Sequence, residues 1–369
     1  MKKLIAVFAV LLLAAPALAA DWSFYGSQRM ATFYFADDFG DSKVAGNDSD
    51  WGLRWDFQGN SRLGARVKEG NVSGLIELAL RATGGGDGGD ESVNTRRAVG
   101  FWKFSDNATL KVGKDYSPVT RFISGQVFDT DAGLLGMGNF YGRRPAMLGL
   151  TLGNFDIALL TNALVTTGIA PLNSDPDWNL PKVEASYLMK FGAFDLRPFG
   201  GLQYFKVDRG TSSLTDDLDI YSYVIGIDSM INIGAFYLAP QVAYGQNWAN
   251  AGWANGRWGA TYARATLKGT DDTNDAKSLS LMLVAGLKFT DTLKFEAGVG
   301  YRNDDADVSG VADAVAWEAY IQAVITLAKG VYLIPEIGYI DRGDDPDGSN
   351  KGDDVGYRWY AGAKWQIDF

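Results

Sequence analysis

The last thirteen residues, Tyr357-Arg-Trp-Tyr-Ala-Gly-Ala-Lys-Trp-Gln-Ile-Asp-Phe369, decide the fold. Every odd position is apolar or small and nearly every even position is polar, which is the period of a strand with two different faces. The large apolar side chains are aromatic, and the chain stops on one of them. This pattern favours the closing strand of a membrane β-barrel over a strand half-buried in a soluble core.

The first twenty residues predict export. Two lysines precede an apolar run from Leu4 to Leu13, and small residues follow. The run is shorter than the roughly 20 residues that a helix needs to cross a bilayer of about 30 Å. We interpret residues 1–20 as a signal peptide that is cleaved after Ala19 or Ala20. The mature chain, residues 21–369, is expected to form one domain, because no Pro-rich or Ser-rich linker divides it.

The composition suits a chain of many strands and tight turns. Hydrophobic residues make up 47% of the sequence and aromatic residues 13%, with 45 glycines but only 10 prolines. No apolar run beyond the signal peptide approaches roughly 18 residues, which excludes a helical membrane protein. The 34 basic residues less the two signal-peptide lysines leave 32 against 44 acidic ones, a net charge of −12. Such a chain is not expected to bind nucleic acid.

The residue types that are missing exclude several kinds of site. The chain has no cysteine and no histidine. A disulfide framework, a thiolate or imidazole metal site and a Ser-His-Asp hydrolase are therefore excluded. A hydrolase that uses carboxylates alone stays open, although no acidic pair stands out among 44 such residues. The sequence predicts no enzyme and no cofactor, apart from calcium in outer loops as considered below.

Two-faced runs recur along the whole mature chain. In the longest, residues 51–67, the odd positions are apolar or small and the even positions are mostly polar. Short connectors such as Thr290-Asp-Thr292 alternate with long polar ones, as in outer-membrane barrels. The predicted strands are residues 22–35, 51–67, 71–82, 94–104, 108–115, 143–152, 154–162, 180–191, 194–208, 216–231, 235–247, 277–290, 293–303, 312–328, 331–342 and 354–369.

The number of strands bears on function. A barrel of about sixteen strands is wide enough to leave an aqueous channel, whereas one of about eight strands is filled by its own side chains. A soluble sandwich or propeller is the alternative, but it does not explain the aromatic outward faces, the signal peptide and the terminal Phe together. The sequence therefore predicts an all-β, transmembrane, antiparallel β-barrel of about sixteen strands that encloses water.

One connection differs from the other loops. Residues 116–142, between the fifth and sixth predicted strands, form a long segment that mixes apolar and acidic residues. With this loop, the stretches Asn60-Ser-Arg-Leu-Gly64 and Thr95-Arg-Arg-Ala-Val-Gly100 and the aromatic carboxyl end, the chain resembles the general trimeric porins of Gram-negative bacteria. The resemblance covers the whole mature chain in layout. It implies a homotrimer in the bacterial outer membrane that passes small hydrophilic solutes and ions.

The resemblance also implies a constriction. In that family the loop after strand five folds into the barrel, and its carboxylates face arginines on the opposite wall. Opposed charges in a narrow channel orient dipolar solutes and sort ions by sign. Strand alternation supports Arg62 and Arg66 as lumen-facing wall residues and favours Arg97 over Arg96 for such a position. Only one of Arg143 and Arg144 is expected on the wall. The candidates are Arg62, Arg66, Arg96, Arg97, Arg143 and Arg144 on the wall and Arg121, Asp129 and Asp131 on the loop.

The loop departs from the family at one point. The acidic motif usual in such porins, a Pro-Glu-Phe-Gly-Gly-like stretch, is replaced by Val127-Phe-Asp-Thr-Asp-Ala-Gly-Leu-Leu135. The end of the chain follows the family more closely, because Trp365, Ile367 and Phe369 match the terminal pattern that the barrel-assembly machinery reads in porin-like proteins. The resemblance therefore implies this machinery as a partner.

Carboxylate clusters in two predicted outer loops are candidate calcium ligands, because Ca²⁺ prefers oxygen ligands. They are Asp304, Asp305 and Asp307 in one loop and Asp344, Asp345 and Asp347 in the next. Neither cluster has the spacing of a helix-loop-helix calcium site, and solvated loop charge is the alternative. Divalent ions held there would bridge the protein to anionic lipopolysaccharide, a predicted partner together with outer-membrane lipid.

Three tryptophans leave the type of channel open. Trp248, Trp253 and Trp258 lie in the longest predicted loop, where aromatic platforms could stack on sugars. Equally, they could cap the barrel or lie in the aromatic girdle at the lipid interface. The leading hypothesis is a general diffusion pore. The alternatives are a channel selective for sugars or anions and an enzyme or adhesin built on a barrel.

Overall fold

The computed structural model describes residues 20–38, 51–81, 92–163, 169, 176–207, 217–254, 261–269 and 272–369. Residues 1–19 of the predicted signal peptide and Trp258 lie outside them. Within these ranges, sixteen antiparallel strands form one closed barrel, and two of them are interrupted. The strands are β1 (Asp21–Asp38), β2 (Trp51–Phe57 and Ser61–Glu69), β3 (Val72–Arg81), β4 (Ser92–Ser105), β5 (Ala108–Lys114), β6 (Ala146–Leu152), β7 (Phe155–Leu160), β8 (Lys182–Tyr187 and Met189–Phe191), β9 (Phe194–Val207), β10 (Leu218–Ile233), β11 (Phe236–Gln246), β12 (Lys277–Lys288), β13 (Leu293–Asp305), β14 (Ala314–Ala328), β15 (Val331–Asp341) and β16 (Tyr357–Asp368).

In the described ranges, four shorter elements lie between the barrel strands. They are helix α1 (Phe128–Asp131), a strand Pro176–Asp177 that pairs with the end of β9, a hairpin Thr266–Lys268 and Asp272–Asn274, and a 3₁₀ turn Gly348–Asn350. Among the residues that the structure describes, no helix has the length and apolarity needed to cross a membrane.

Strand β16 closes the barrel against β1. The two strands are in antiparallel register from Ser27 opposite Asp368 to Asp38 opposite Tyr357. The amide of Gly26 also donates to the terminal carbonyl of Phe369 over 2.7 Å. Every described barrel strand is paired on both sides, so the sheet has no free edge. The prediction of a sixteen-stranded antiparallel barrel is confirmed.

The two faces of β16 lie as the alternation predicts. Trp365, Ile367 and Phe369 point outward and are 47%, 53% and 67% exposed, whereas Tyr360 and Lys364 point inward and are buried. The outward face of β16 is thus apolar and aromatic, and large apolar side chains are likewise exposed along the other strands, as expected for a surface that faces lipid.

Connections at the two ends of the barrel differ in length. At one end the strands join through tight turns, two of which place Gly153 and Gly192 at positive φ values of 58° and 66°. At the other end lie the long segments.

Strand boundaries differ by a few residues from those predicted. Strand β6 begins at Ala146, because Arg143 has a φ of 67° that a strand does not allow.

The second strand is interrupted where one continuous run of residues 51–67 is predicted. At Gln58 the chain turns, the amide of Ser61 donates to the Gln58 carbonyl, and strand pairing resumes at Ser61. The Gln58 side chain is buried and donates to the carbonyl of Val127 inside the barrel. The wall therefore bends to contact a segment that occupies the lumen.

Candidate functional site

The segment in the lumen is the loop that joins β5 to β6, residues 115–145, called here the inner loop. Three glutamates on successive strands, Glu296 of β13, Glu318 of β14 and Glu336 of β15, accept hydrogen bonds from successive parts of it. The amide of Gly125 donates to Glu296 over 2.7 Å, and the side chain of Gln126 donates to Glu318. The three carboxylates thus hold this part of the loop against the wall.

Helix α1 begins at the last of these glutamates. The amides of Val127 and Phe128 donate to the two carboxylate oxygens of Glu336 over 2.7 and 2.9 Å. The ring of Phe128 stacks on Tyr360 with centroids 3.9 Å apart. A polar clamp and a ring stack therefore fix the same turn of the loop.

Asp131 ends the helix and joins the loop to β16, β1 and the break in β2, the part of the wall next to β15. Its carboxylate accepts from Lys364 Nζ at 2.8 Å, from Asn60 Nδ2 at 2.6 Å and from the guanidinium of Arg29. Burial alone would raise the pKa of this carboxyl group, but the charges of Lys364 and Arg29 and the hydrogen bonds hold the pKa below its ordinary value of 3.8. Asp131 also has a φ of 56°, a left-handed conformation that these contacts maintain.

The far end of the loop is anchored on β9 and β10. Arg121 pairs with Asp195 at 2.7 Å and with Asp228 at 2.8 Å. These contacts raise the pKa of Arg121, because its hydrogen bonds to Asp195 outweigh its burial. Arg121 is thus an anchor of the loop and does not line the cavity described next.

Between the inner loop and the wall formed by β1, β2, β4 and β16 lies a cavity of about 930 Å³. Six of its lining side chains are cationic and two are carboxylates. The cations are Arg29, Arg54, Arg62, Arg96, Arg144 and Lys364, and the carboxylates are Asp56 and Asp131. The space that remains open beside the inner loop is therefore lined by an excess of positive charge.

Two of the wall arginines share one carboxylate. Arg96 Nε donates to Glu77 at 2.9 Å, and Arg62 Nη1 lies 3.7 Å from the same carboxylate. Arg96 can reach the lumen because the pairing of β3 with β4 shifts by one residue after Glu77, so simple alternation fails there. Arg97 is paired elsewhere, with Asp115 at 2.5 Å. The expectation that Arg97 takes the place of Arg96 was wrong, since both side chains are inside the barrel.

Two other candidates lie away from the cavity lining, and a third is only partly described. Arg66 stacks over Tyr25, with its guanidinium carbon 4.8 Å from the ring centre. Arg143 donates to the carbonyl of Gly252 over 2.9 Å, so Arg144 is the member of that pair on the cavity. The side chain of Asp129 is outside what the structure describes.

The tryptophans provide a correction. Trp248 and Trp253 are each only 1% exposed, in a hydrophobic core inside the barrel that includes Phe140 and Phe199. Trp253 also donates to Glu184 over 2.8 Å. Residues 247–254 thus fold inward and fill the side of the lumen opposite the cavity, so these two rings offer no platform to a sugar.

No group of three or more carboxylates within the described ranges is arranged to hold a metal ion. Asp304 is buried and pairs with Arg302 at 2.9 Å. Asp305 and Asp345 accept hydrogen bonds from the amides of Asp307 and Asp347, two residues along the chain. The remaining candidate, Asp344, forms an isolated strand-like bridge with Asp354. The acidic loops therefore contain local turns, and calcium binding there has no support from their geometry.

The candidate list from the sequence lacks three cations of the cavity, Arg29, Arg54 and Lys364. A signal existed for each of them, and Lys364 occupies an even, polar position of the last strand. Arg29 has the parity opposite to Trp22 and Phe24, the aromatic outer face of β1, and Arg54 alternates with the outward tryptophans of β2. Tyr116 and Phe122, which also line the cavity, belong to the inner loop, where no period marks the face of a residue.

The chain has the fold of known outer-membrane proteins. It is similar to the outer-membrane channel DcaP of Acinetobacter baumannii (TM-score 0.68, 15% identity, 95% of this chain and 97% of that one) and to an anion-selective porin from Comamonas acidovorans (0.59, 15%, 95% and 100%). A third neighbour is OmpF of Salmonella typhi in complex with daunomycin (0.57, 14%, 94% and 97%). No protein-family model and no curated protein matches the sequence. At these identities the likeness shows the fold alone.

Proposed function

We propose that this protein is an outer-membrane channel through which small hydrophilic solutes diffuse passively, and that it favours anions over cations. One observation carries the proposal: the inner loop leaves a cavity with six cationic and two acidic side chains along its lining. Positive charge that surrounds a narrow aqueous passage attracts anions and repels cations, and the low-dielectric barrel wall focuses this field.

Two further features support a membrane channel. The outward face of the barrel is apolar and aromatic, and long loops are confined to one end. We place that end outside the cell, and the protein in the bacterial outer membrane. A homotrimer, contacts with lipopolysaccharide and recognition of Trp365, Ile367 and Phe369 by the barrel-assembly machinery belong to the same proposal, as does the cleavage of residues 1–20.

The other functions have less support. A sugar-selective channel loses two of its three candidate platforms, since Trp248 and Trp253 are buried. An enzyme on this barrel would need a catalytic group other than histidine. Among the alternatives, selectivity for anions is the one that the cavity favours.

The test is the reversal potential of the purified protein in a planar lipid bilayer under a KCl gradient. We expect stable open channels and a reversal potential nearer to the chloride equilibrium potential than to that of potassium. Absence of channels would reject the pore itself. Stable channels that prefer potassium would reject the anion preference while the pore would stand. An unboiled gel sample should migrate as a heat-sensitive oligomer, and migration as a monomer would contradict the trimer.

A further inference from the structure

Tyr116 lies where the arginines of the cavity meet. Its hydroxyl oxygen accepts hydrogen bonds from Arg96 Nη2 at 2.9 Å and from Arg144 Nη1 at 3.4 Å. The guanidinium carbons of Arg97 and Arg144 each lie 5.3 Å from the centre of its ring. One neutral side chain thus contacts three cations that repel one another.

The charges of these arginines are compensated to different degrees. Arg96 pairs with Glu77 and Arg97 with Asp115. Arg144 has no carboxylate within 4.0 Å in the described part of the chain, and Tyr116 supplies its hydrogen bond and its ring contact. Arg144 also lines the cavity. Its charge therefore faces the cavity without a counter-ion from the residues that the structure describes.

Tyr116 is itself held in place. Its ring makes an edge contact with Phe122, with centroids 4.9 Å apart, and Phe122 contacts Tyr141 in turn. All three belong to the inner loop, whereas Arg96 belongs to the wall. Tyr116 therefore connects the loop with the wall arginine at the cavity lining.

We propose that Tyr116 is a positioning residue that directs Arg96 and Arg144 to one point of the channel, where the two guanidiniums bind divalent oxyanion groups of passing solutes. The inference rests on the proposed function, because it requires anions to enter the constriction. Two guanidiniums that share one acceptor atom are close enough to donate to one sulfate-like or phosphate-like group. Their planar forks of N–H donors match such oxyanions.

The test uses inorganic sulfate as the probe in a planar bilayer. Sulfate is added to a KCl solution at constant ionic strength, and the concentration that halves the chloride current is measured. Wild type should be blocked. In Tyr116→Phe, which keeps the ring and removes the acceptor, the half-blocking concentration should rise about twofold to tenfold, the effect of one net hydrogen bond. In Arg144→Gln it should rise at least as much, while the chloride current without sulfate changes less in Tyr116→Phe, which keeps every charge of the cavity lining.

Tyr204→Phe is the matched control. The hydroxyl of Tyr204 also makes a side-chain hydrogen bond, to Asp219 over 2.7 Å, and Tyr204 does not line the cavity. Sulfate block should be unchanged in this variant. An anion-selective wild type without sulfate block, or equal block in wild type and Tyr116→Phe, would overturn the inference and leave the proposed function intact. A wild type that prefers cations would overturn both. If Tyr116→Phe fails to form a heat-modifiable barrel, Arg144→Gln decides the outcome.

Discussion

Neutralising Arg62 should shift the selectivity of the channel, whereas neutralising Arg66 should barely do so. Both arginines lie on β2 and share a parity, so the sequence does not rank them. The structure does: Arg62 lines the cavity, and Arg66 stacks on Tyr25 outside the cavity lining. Arg62 and Arg96 share the single negative charge of Glu77, so this group of three carries one net positive charge that Arg62→Gln removes.

The expected size follows from Coulomb's law. An anion that passes about 5 Å from a unit charge gains about 0.8 kcal/mol at the dielectric constant of water and a cation loses as much, so the chloride-to-potassium permeability ratio should change about 16-fold. Arg66 is four residues farther along the strand, about 13 Å at a rise of about 3.3 Å per residue. That distance exceeds the Debye length of about 10 Å in 0.1 M salt, so Arg66→Gln should change the ratio by less than about 1.5-fold.

The assay is the reversal potential of each variant under the same KCl gradient, after heat-modifiable mobility has shown that both barrels fold. The permeability ratio should fall toward potassium in Arg62→Gln and stay near wild type in Arg66→Gln. Equal shifts in the two variants would mean that the field is not local to the cavity. No shift in Arg62→Gln would mean that ions do not pass this wall, and the assignment of the constriction would be wrong.

Three further predictions concern the inner loop. Gly300→Ala should lower single-channel conductance, because a Cβ there would lie 1.5 Å from the carbonyl oxygen of Met137 and push the loop into the channel. Gly100→Ala is the control and should behave like wild type, since its Cβ would meet nothing closer than 3.9 Å. Equal conductance in the two variants would contradict this prediction. Glu336→Gln should weaken the attachment of the inner loop to the wall by about 1–3 kcal/mol, since only one of the two acceptor oxygens for the Val127 and Phe128 amides remains. The noise of the single-channel current should then increase, and noise equal to that of wild type would contradict the role of Glu336. The pKa of Asp131 in the folded protein is below its ordinary value of 3.8, so the stabilisation from its ionised carboxylate is complete above pH 3.8 and is lost only as the pH falls through the lower, folded-state pKa. Selectivity should therefore stay constant from about pH 7 to about 4. Loss of selectivity in that range would contradict the role of the Asp131 contacts.

The barrel could be predicted because its physical environment imposes a strict period. Lipid outside and water inside demand alternation in every strand, and β16 shows it without a break. The irregular positions could not be predicted in this way. At Gln58 the wall is interrupted by a contact with Val127 of the inner loop, which lies 69 residues away in the sequence. No local pattern contains that contact.

The candidate site was predictable in part for the same reason. Alternation places Arg62 inside, but at Arg96 the shifted register opposite Glu77 breaks the rule. The buried positions of Trp248 and Trp253 follow from packing against Phe140 of another loop, and a loop sequence has no period that reveals its partner. The role of Tyr116 could not be predicted from the sequence for the same reason, since it depends on arginines of β4 and of the end of the inner loop.

The net negative charge of the mature chain and the proposed preference for anions point in opposite directions. The positions of the charges in the structure account for this difference. The mature chain is expected to carry a net charge of −12, which taken alone would favour cations. Selectivity depends on the charges within about one Debye length of the narrowest passage, about 10 Å at 0.1 M salt, and more distant charges are screened. Inside the barrel, Glu77 is shared by two arginines and Asp131 is held by Arg29 and Lys364. These two carboxylates are therefore compensated by cations of the wall, and we expect the remaining cations of the lining to determine which ions pass.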